Sequence, residues 1–117
     1  MPNRFVHGVE LHTKNPKVAK EFYNALFNWE FEDIPQMNYS RFAAPGADGG
    51  VMQSPVGDSP GHWAPYFLVD DVAAAVKKAK SLGGSVVVDA TEIPGHGSFG
   101  IITDPTGATF GLWKGAS

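Results

Sequence analysis

The stretch Val9-Glu10-Leu11-His12-Thr13 recurs in pattern as Pro65-Tyr66-Phe67-Leu68-Val69 in the second half of the chain. The correspondence extends further along, where Gly50-Val51-Met52 matches Phe110-Gly111-Leu112. Repeated units of this size each leave one hydrophobic face that must be buried against a neighbour. The repeat therefore predicts two similar modules whose paired, curved sheets enclose a cleft.

The composition limits the classes of protein to consider. A chain of 117 residues is expected to form one domain, because this length buries roughly two-thirds of its unfolded surface. A net charge of −3 without a Lys/Arg run argues against nucleic-acid binding. The absence of cysteine excludes disulfides, thiolate catalysis and sulfur-ligated metals. No apolar run has membrane-spanning length and the N-terminus has no signal-peptide pattern, so a cytoplasmic location without membrane contact is expected.

The periodicity of apolar residues predicts the order βαβββ twice, an α+β chain. Asn15 is the predicted N-cap of the first helix, with Pro16 at the first helical position, and Asp71 caps the second. The helices are predicted at 16–27 and 72–82, and the strands at 4–12, 29–34, 38–44, 49–53, 63–69, 85–90, 98–103 and 108–113. A ferredoxin-like chain would place fewer strands between its helices. The prediction is one domain, 1–117, with module 1 at 4–53, a linker at 54–61 and module 2 at 62–114.

Three motifs in this order carry a family resemblance. They are Asn15-Pro16 leading to Phe22-Tyr23 and Leu26-Phe27-Asn28-Trp29, then Phe67–Val72 leading to Leu82-Gly83-Gly84, and last the closing hairpin at 104–113. The chain resembles the glyoxalase / bleomycin resistance protein / extradiol dioxygenase superfamily, also called vicinal oxygen chelate proteins. The resemblance implies a cup-shaped mixed sheet with the helices outside. It also implies a divalent metal that substrates chelate through neighbouring oxygens, although some relatives bind a drug without a metal.

The resemblance places the four metal-ligand positions on Gly8, Val51, Ala64 and Gly111. None of these side chains has a donor atom, whereas zinc, nickel, iron or manganese needs imidazole, carboxylate or thiolate ligands. We therefore expect the metal site to be lost and no cofactor to be present. The family-based alternative is a weakly held divalent ion on Glu10 and His12. A third donor is not expected there, because His62 and His96 are placed in loops.

Strand alternation predicts which side chains line the cleft. Leu11 and Phe110 are assigned to the helix side of their strands, and the residues beside them to the cleft. The predicted ligand-binding residues are Glu10, His12, Arg41, Gln53, Tyr66 and Trp113. Glu10 and His12 are the best catalytic candidates, with Glu10 as a general base and His12 or Arg41 as a hydrogen-bond donor. The alternative is a polar pair that only satisfies its own hydrogen bonds.

Three functions remain open from the sequence. The first is a metal-free protein that binds a small apolar or aromatic compound in the cleft between the modules. The second is an enzyme of the lactoylglutathione lyase type, an isomerase or a related dioxygenase, which uses Glu10 and His12. The third is a structural module, supported only by exposed strand edges. A homodimer is also expected, because sheet edges and aromatic residues such as Phe31, Trp63 and Trp113 are poorly covered in a small monomer.

Overall fold

The computed structural model describes residues 6–35, 38–43, 48–55 and 60–116, without the side chains of residues 6 and 7. Residues 4 and 5 of the predicted first strand, Ala44 of the third and 56–59 of the linker therefore lie outside the described residues. The described chain divides into two compact units. The first unit comprises residues 8–64, and the second comprises residues 65–116 with residues 6 and 7.

The first unit combines one helix with four strands. The elements are β1 (Val6–Thr13), α1 (Pro16–Phe27), β2 (Phe31–Ile34), β3 (Tyr39–Phe42) and β4 (Gly49–Gln53). The strands follow the spatial order β2-β3-β4-β1. The pair β1–β4 is parallel, and the pairs β2–β3 and β3–β4 are antiparallel.

The second unit has the same arrangement. Its elements are β5 (His62–Leu68, whose first residues group with the first unit), α2 (Val72–Ser81), β6 (Ser85–Ile93), β7 (Gly97–Thr103) and β8 (Thr109–Gly115). The order is β5-β8-β7-β6, with β5–β8 parallel and the other two pairs antiparallel. Since both units pair their first and last strands in parallel, the internal repeat and the predicted βαβββ order are confirmed.

The helix caps lie where the sequence predicts them. The side chain of Asn15 accepts a hydrogen bond from the Val18 amide at 3.2 Å, and that of Asp71 accepts one from the Ala74 amide at 2.9 Å. Each bond satisfies one of the amides that the first turn of a helix leaves without a partner. At the other end of α1, Asn28 takes the left-handed conformation at φ 61°. The local sequence alone therefore fixes where α1 begins and ends.

The predicted end of β6 is too early, since the strand continues from residue 90 to Ile93. Thr91 pairs with Phe99 and Ile93 pairs with Gly97, so the hairpin remains paired to its tip. The pairing register shifts between Val86 and Val88 and again before Thr91. Such irregularities break the alternation of side chains, which is the signal used to extend a strand from sequence.

Register defines two faces of the sheet in the first unit. Leu11 pairs with Val51, which pairs with Ser40, and all three side chains are buried. The hydroxyl of Ser40 lies 3.0 Å from the Nζ of Lys20 on α1, so this is the face that α1 covers. The residues next to them along each strand point to the opposite face.

The apolar stripe of α1 is only partly covered. Ala19 and Tyr23 are half-buried, but Val18, Phe22 and Leu26 are 56, 56 and 57% exposed. The corresponding helix of the second unit is packed more tightly, since Val72 and Val76 are buried with Ile102 and Leu112 in a core cluster. The apolar arc of α1 is therefore wider than the surface that the sheet covers.

Candidate functional site

Glu10 and His12 lie on the sheet face away from α1, because Leu11 between them points towards the helix. The Nε2 of His12 and the Oε1 of Glu10 are 3.4 Å apart, which is a long hydrogen bond. The side chain of His12 is fully buried, whereas that of Glu10 is 17% exposed. Of this pair, Glu10 is thus the group that another molecule can reach.

Tyr39 holds Glu10 from a second side. Tyr39 lies in β3 and pairs with Met52, which in turn pairs with His12. Its side chain is therefore on the same sheet face as His12 and Glu10. Burial raises the pKa of the Tyr39 phenol above its usual value, and the charge of Glu10 and a side-chain hydrogen bond with Glu10 raise it further. The phenol therefore stays protonated and donates to the carboxylate.

His62 lies in a strand and not in the loop that the sequence predicted. It begins β5 instead of lying in a loop, and its ring centroid is 5.0 Å from that of His12 in an edge-on arrangement. Burial lowers the pKa of His62, as does the neighbouring His12, while a hydrogen bond with the backbone of Pro60 opposes the shift. The signal was present, because His62 continues the alternation of Ala64 and Tyr66 by one step.

The Nε2 of His62 is buried and forms no hydrogen bond within the described part of the chain. A buried polar atom of this kind normally finds a partner in ordered water or in a ligand. Together with Glu10, His12 and Tyr39, His62 forms what we call the Glu10 cluster. The cluster combines an oriented carboxylate with a largely uncharged imidazole.

Of the other predicted residues in this unit, Arg41 has the predicted orientation and Gln53 does not. Arg41 pairs with Gly50, which pairs with Glu10, so they share a face, but its exposed guanidinium lies 3.6 Å from Glu32. Gln53 pairs with Thr13 and therefore points towards the α1 side. Its Nε2 donates to the backbone oxygen of residue 14 at 3.1 Å.

A shift of one residue explains the wrong orientation of Gln53. The alignment of the two halves matched Val51 with Gly111, but Val51 pairs with Leu11 on the helix side. In the second unit the corresponding helix-side residue is Leu112, which pairs with Phe67. Val51 therefore corresponds to Leu112, and Gly50 corresponds to Gly111. Because side chains alternate along a strand, one residue of slip moves every side chain to the other face.

The second unit places Tyr66 and Trp113 as predicted, on the sheet face away from α2. Tyr66 pairs with Gly111, and Leu68 pairs with Trp113. Tyr66 is only 3% exposed, and a Cβ atom built on Gly111 would lie 2.4 Å from its ring. Trp113 is half-buried and also pairs with Phe99. Tyr66 and Trp113 thus belong to a different unit from the Glu10 cluster.

The residues at the family's metal-ligand positions do not fit a metal. Gly8, Ala64 and Gly111 offer no donor, and neither Val51 nor Gly50, which replaces it after the register correction, offers one. A Cβ atom on Gly8 would lie 2.4 Å from the backbone oxygen of residue 48, so no larger side chain fits there without a shift. Within the described ranges, no group of three or more His, Cys, Asp or Glu residues is placed to hold an ion.

Neither helix in the described part of the chain is long and apolar enough to cross a membrane. The cytoplasmic location expected from the sequence stays a prediction.

Comparison with known proteins gives matches over nearly the whole chain. CFP32 of Mycobacterium tuberculosis, provisionally named a glyoxylase, is 39% identical over 111 residues, which are 92% of this chain and 42% of that protein. The anthracycline biosynthesis protein DnrV of Streptomyces peucetius is 25% identical over 123 residues, 90% of this chain and 45% of that protein. The chain thus spans less than half the length of these curated relatives.

Among solved structures, methylmalonyl-CoA epimerase from M. tuberculosis matches with a TM-score of 0.63 and 18% identity, over 100% of this chain and 93% of that one. At this identity the likeness shows the fold alone, and it confirms the α+β, glyoxalase-like fold class. The family description "Glyoxalase/Bleomycin resistance protein/Dioxygenase superfamily" matches residues 5–112. Members of this superfamily bind small molecules, commonly use a divalent metal and often form dimers. The chain belongs to the glyoxalase/bleomycin resistance protein/dioxygenase superfamily.

Proposed function

We propose that this protein binds a small apolar or aromatic compound that carries a hydrogen-bond donor, without a metal ion at the family's ligand positions. The observation that supports the proposal is the Glu10 carboxylate, which is held by His12 and Tyr39 and remains partly exposed. A carboxylate fixed by two neighbours is an acceptor that loses little freedom when a ligand donates to it. The ligand's donor hydrogen-bonds to Glu10, and its apolar part contacts the surrounding side chains.

The apolar part of the ligand has suitable contacts on the same sheet face. Met52 lies between Tyr39 and His12 in the register, and a methionine side chain adapts to ligands of irregular shape. Pockets with many apolar atoms and few polar groups are typical of small-molecule sites.

A second candidate function is proton transfer next to a carbonyl group, as in a glyoxalase-type isomerase or lyase. The same oriented carboxylate favours it, because a general base must be held within reach of the proton that it removes. Glu10 would take the proton, and the uncharged His62 would be the nearby donor or acceptor. The matched methylmalonyl-CoA epimerase has this fold. Its substrate serves here only as a test compound.

One set of measurements tests metal-free binding. Metal analysis of the purified protein is expected to give far less than one equivalent of zinc, nickel, iron or manganese. A thermal-shift screen of apolar and aromatic compounds, with and without these ions, is then expected to find ligands whose effect needs no metal. Glu10→Gln should weaken their binding, whereas Glu32→Gln, an exposed carboxylate on the same sheet face, should not. One bound metal per chain, with binding lost on chelation, would contradict the proposal.

Deuterium exchange tests the enzymatic alternative directly. The protein is incubated in heavy water with methylmalonyl-CoA or with the hemithioacetal of methylglyoxal and glutathione, and deuterium next to the carbonyl is followed by NMR. Exchange that is catalysed by the wild type and lost in Glu10→Gln would favour the enzyme. Absence of exchange, together with compound binding, would favour the binding protein.

We also propose that the protein forms a homodimer. The support is the set of large apolar side chains that remain exposed in the first unit, among them Trp63. Soluble monomers rarely expose contiguous apolar patches above a few hundred Å².

A further inference from the structure

The first unit leaves several large apolar and aromatic side chains exposed on α1 and on the chain next to it. Its six members are between 36 and 57% exposed. They are Val18, Phe22, Leu26, Phe27, Trp29 and Trp63, and we call this set the α1 apolar face. It lies on α1 and its neighbours, away from the Glu10 cluster, and the ligand-binding proposal does not use it.

The geometry of α1 explains why this surface exists. Val18, Phe22 and Leu26 are spaced by four residues, so they form one row along the helix. Ala19 and Tyr23 lie one position further around and are half-buried. The sheet covers that part of the apolar arc and leaves the row beside it open. A helix that needed to cover only its own sheet would carry polar residues along this row.

The aromatic members of the face and their neighbours hold one another in place. Phe27 and Trp29 stack with centroids 4.6 Å apart, and Tyr23 stacks on Trp29 at 5.6 Å. The indole Nε1 of Trp63 donates to the Tyr23 hydroxyl at 3.2 Å. Rings that are already fixed lose little conformational entropy when a partner covers them, so the surface is preorganised for association.

We infer that the α1 apolar face is the surface through which two copies of this chain pair. Taking about 150–250 Å² for each aromatic side chain, the exposed fractions give on the order of 500 Å² of apolar surface per copy. A pair would bury about twice this area, roughly 1,000 Å², which is the lower limit for a specific interface. A straight row of side chains can pack against the same row of a second α1 across a two-fold axis.

The charges around the face favour a protein partner of this kind. Lys17 and Glu21 lie beside the row with opposite signs, so no net charge there repels a second copy. Lys20 is engaged, since its Nζ lies 2.9 Å from Asp33. Helices that bind membrane surfaces carry a strongly basic polar face, and α1 does not have one.

The inference is tested on the full chain by sedimentation equilibrium at micromolar concentration. The wild type is expected to have twice the mass of one 12.5 kDa chain. Phe22→Glu places a charge at the centre of the row and should weaken dimerisation by about 100-fold or more, as expected for an aromatic hot spot. The matched control is Ala74→Glu, which adds the same charge at an exposed position of α2 and should leave the dimer intact.

Cysteine cross-linking identifies the paired surface without depending on a destabilising charge. Because the chain has no cysteine, Phe22→Cys introduces a single thiol, and oxidation should join two chains through it. Ala74→Cys should remain uncross-linked. A wild type that stays monomeric at micromolar concentration, a Phe22→Glu variant that dimerises like Ala74→Glu, or a dimer in which Phe22→Cys does not cross-link would each overturn the inference.

The outcome is independent of the ligand. Glu10→Gln should keep the dimer mass, and Phe22→Glu should keep compound binding, so failure of one proposal is distinguishable from failure of the other.

Discussion

The ring of Tyr66 occupies the space that a side chain at position 111 would need. The two residues pair across β5 and β8, and a Cβ atom on Gly111 would lie 2.4 Å from the ring. Tyr66 is buried, so the ring has little room to move away. Gly111 is therefore required by the packing of this face of the sheet.

Gly111→Ala is expected to destabilise the protein by about 1–3 kcal/mol, the usual cost of overpacking a tight interior. Urea unfolding measures the change. Gly115→Ala is the matched control on the same strand, because its Cβ would meet the nearest atom, in Trp113, at an ordinary 3.7 Å. Combining Gly111→Ala with Tyr66→Leu should recover part of the loss. Equal stability of the two glycine variants would contradict the prediction, because it would show that the Tyr66 ring moves aside without cost.

Tyr39 is expected to ionise at higher pH than an ordinary tyrosine, because burial and the charge of Glu10 favour its neutral form. A group whose folded-state pKa is raised stabilises the protein fully below the unfolded pKa, near 10.0, and loses that contribution as the pH rises further. An ultraviolet titration of the three tyrosines should show a late step that is smaller by one tyrosine in Tyr39→Phe. The variant should also lose about 1 kcal/mol of stability at neutral pH, because Glu10 loses a donor. A tyrosine titration without a late step would contradict this arrangement.

His62 is expected to lower the stability of the protein at mildly acidic pH. Its pKa is lowered from the ordinary 6.5, so the unfolded chain takes up a proton at a pH where the folded chain does not. The contribution is therefore present above about 6.5 and is lost as the pH falls below that value. His62→Gln should flatten the stability curve in this window. His96→Gln, at an exposed position, should leave the curve unchanged, and an identical curve for both variants would refute the prediction.

Ser40 is expected to support the contact between α1 and the sheet. Its hydroxyl donates to Asp33 at 2.6 Å and lies 3.0 Å from the Nζ of Lys20. The hydrogen bond from Ser40, followed by the hydrogen bond and charge of Lys20, lowers the pKa of Asp33 from 3.8. This contribution to stability is therefore present above that pH and is lost as the pH falls below it. Ser40→Ala should cost about 1 kcal/mol at neutral pH and reduce the acid sensitivity. Ser85→Ala, at an exposed serine of β6, is the control, and equal losses would contradict a specific role.

The local sequence predicted the elements of the fold because their signals are local. Asn15 and Asp71 accept hydrogen bonds from amides three residues ahead, so caps can be read from a few neighbouring residues. The internal repeat predicted two βαβββ units, and the similar pairing of β1–β4 and β5–β8 confirms them. The relation of Glu10 to His12 was also predictable, since residues two apart on a strand share a face.

The tertiary structure decided which strands meet and in what register. The alternation within β4 gave Val51 and Gln53 one common face, but only pairing with β1 shows that this face is the α1 side. His62 and Tyr39 reach His12 and Glu10 through separate strands, a contact that no local pattern encodes. The apolar row of α1 predicts burial, yet it does not say which neighbour provides the cover. Period-2 alternation and helical periodicity fix faces within one element, whereas a one-residue choice of register between elements sets which faces form the candidate site.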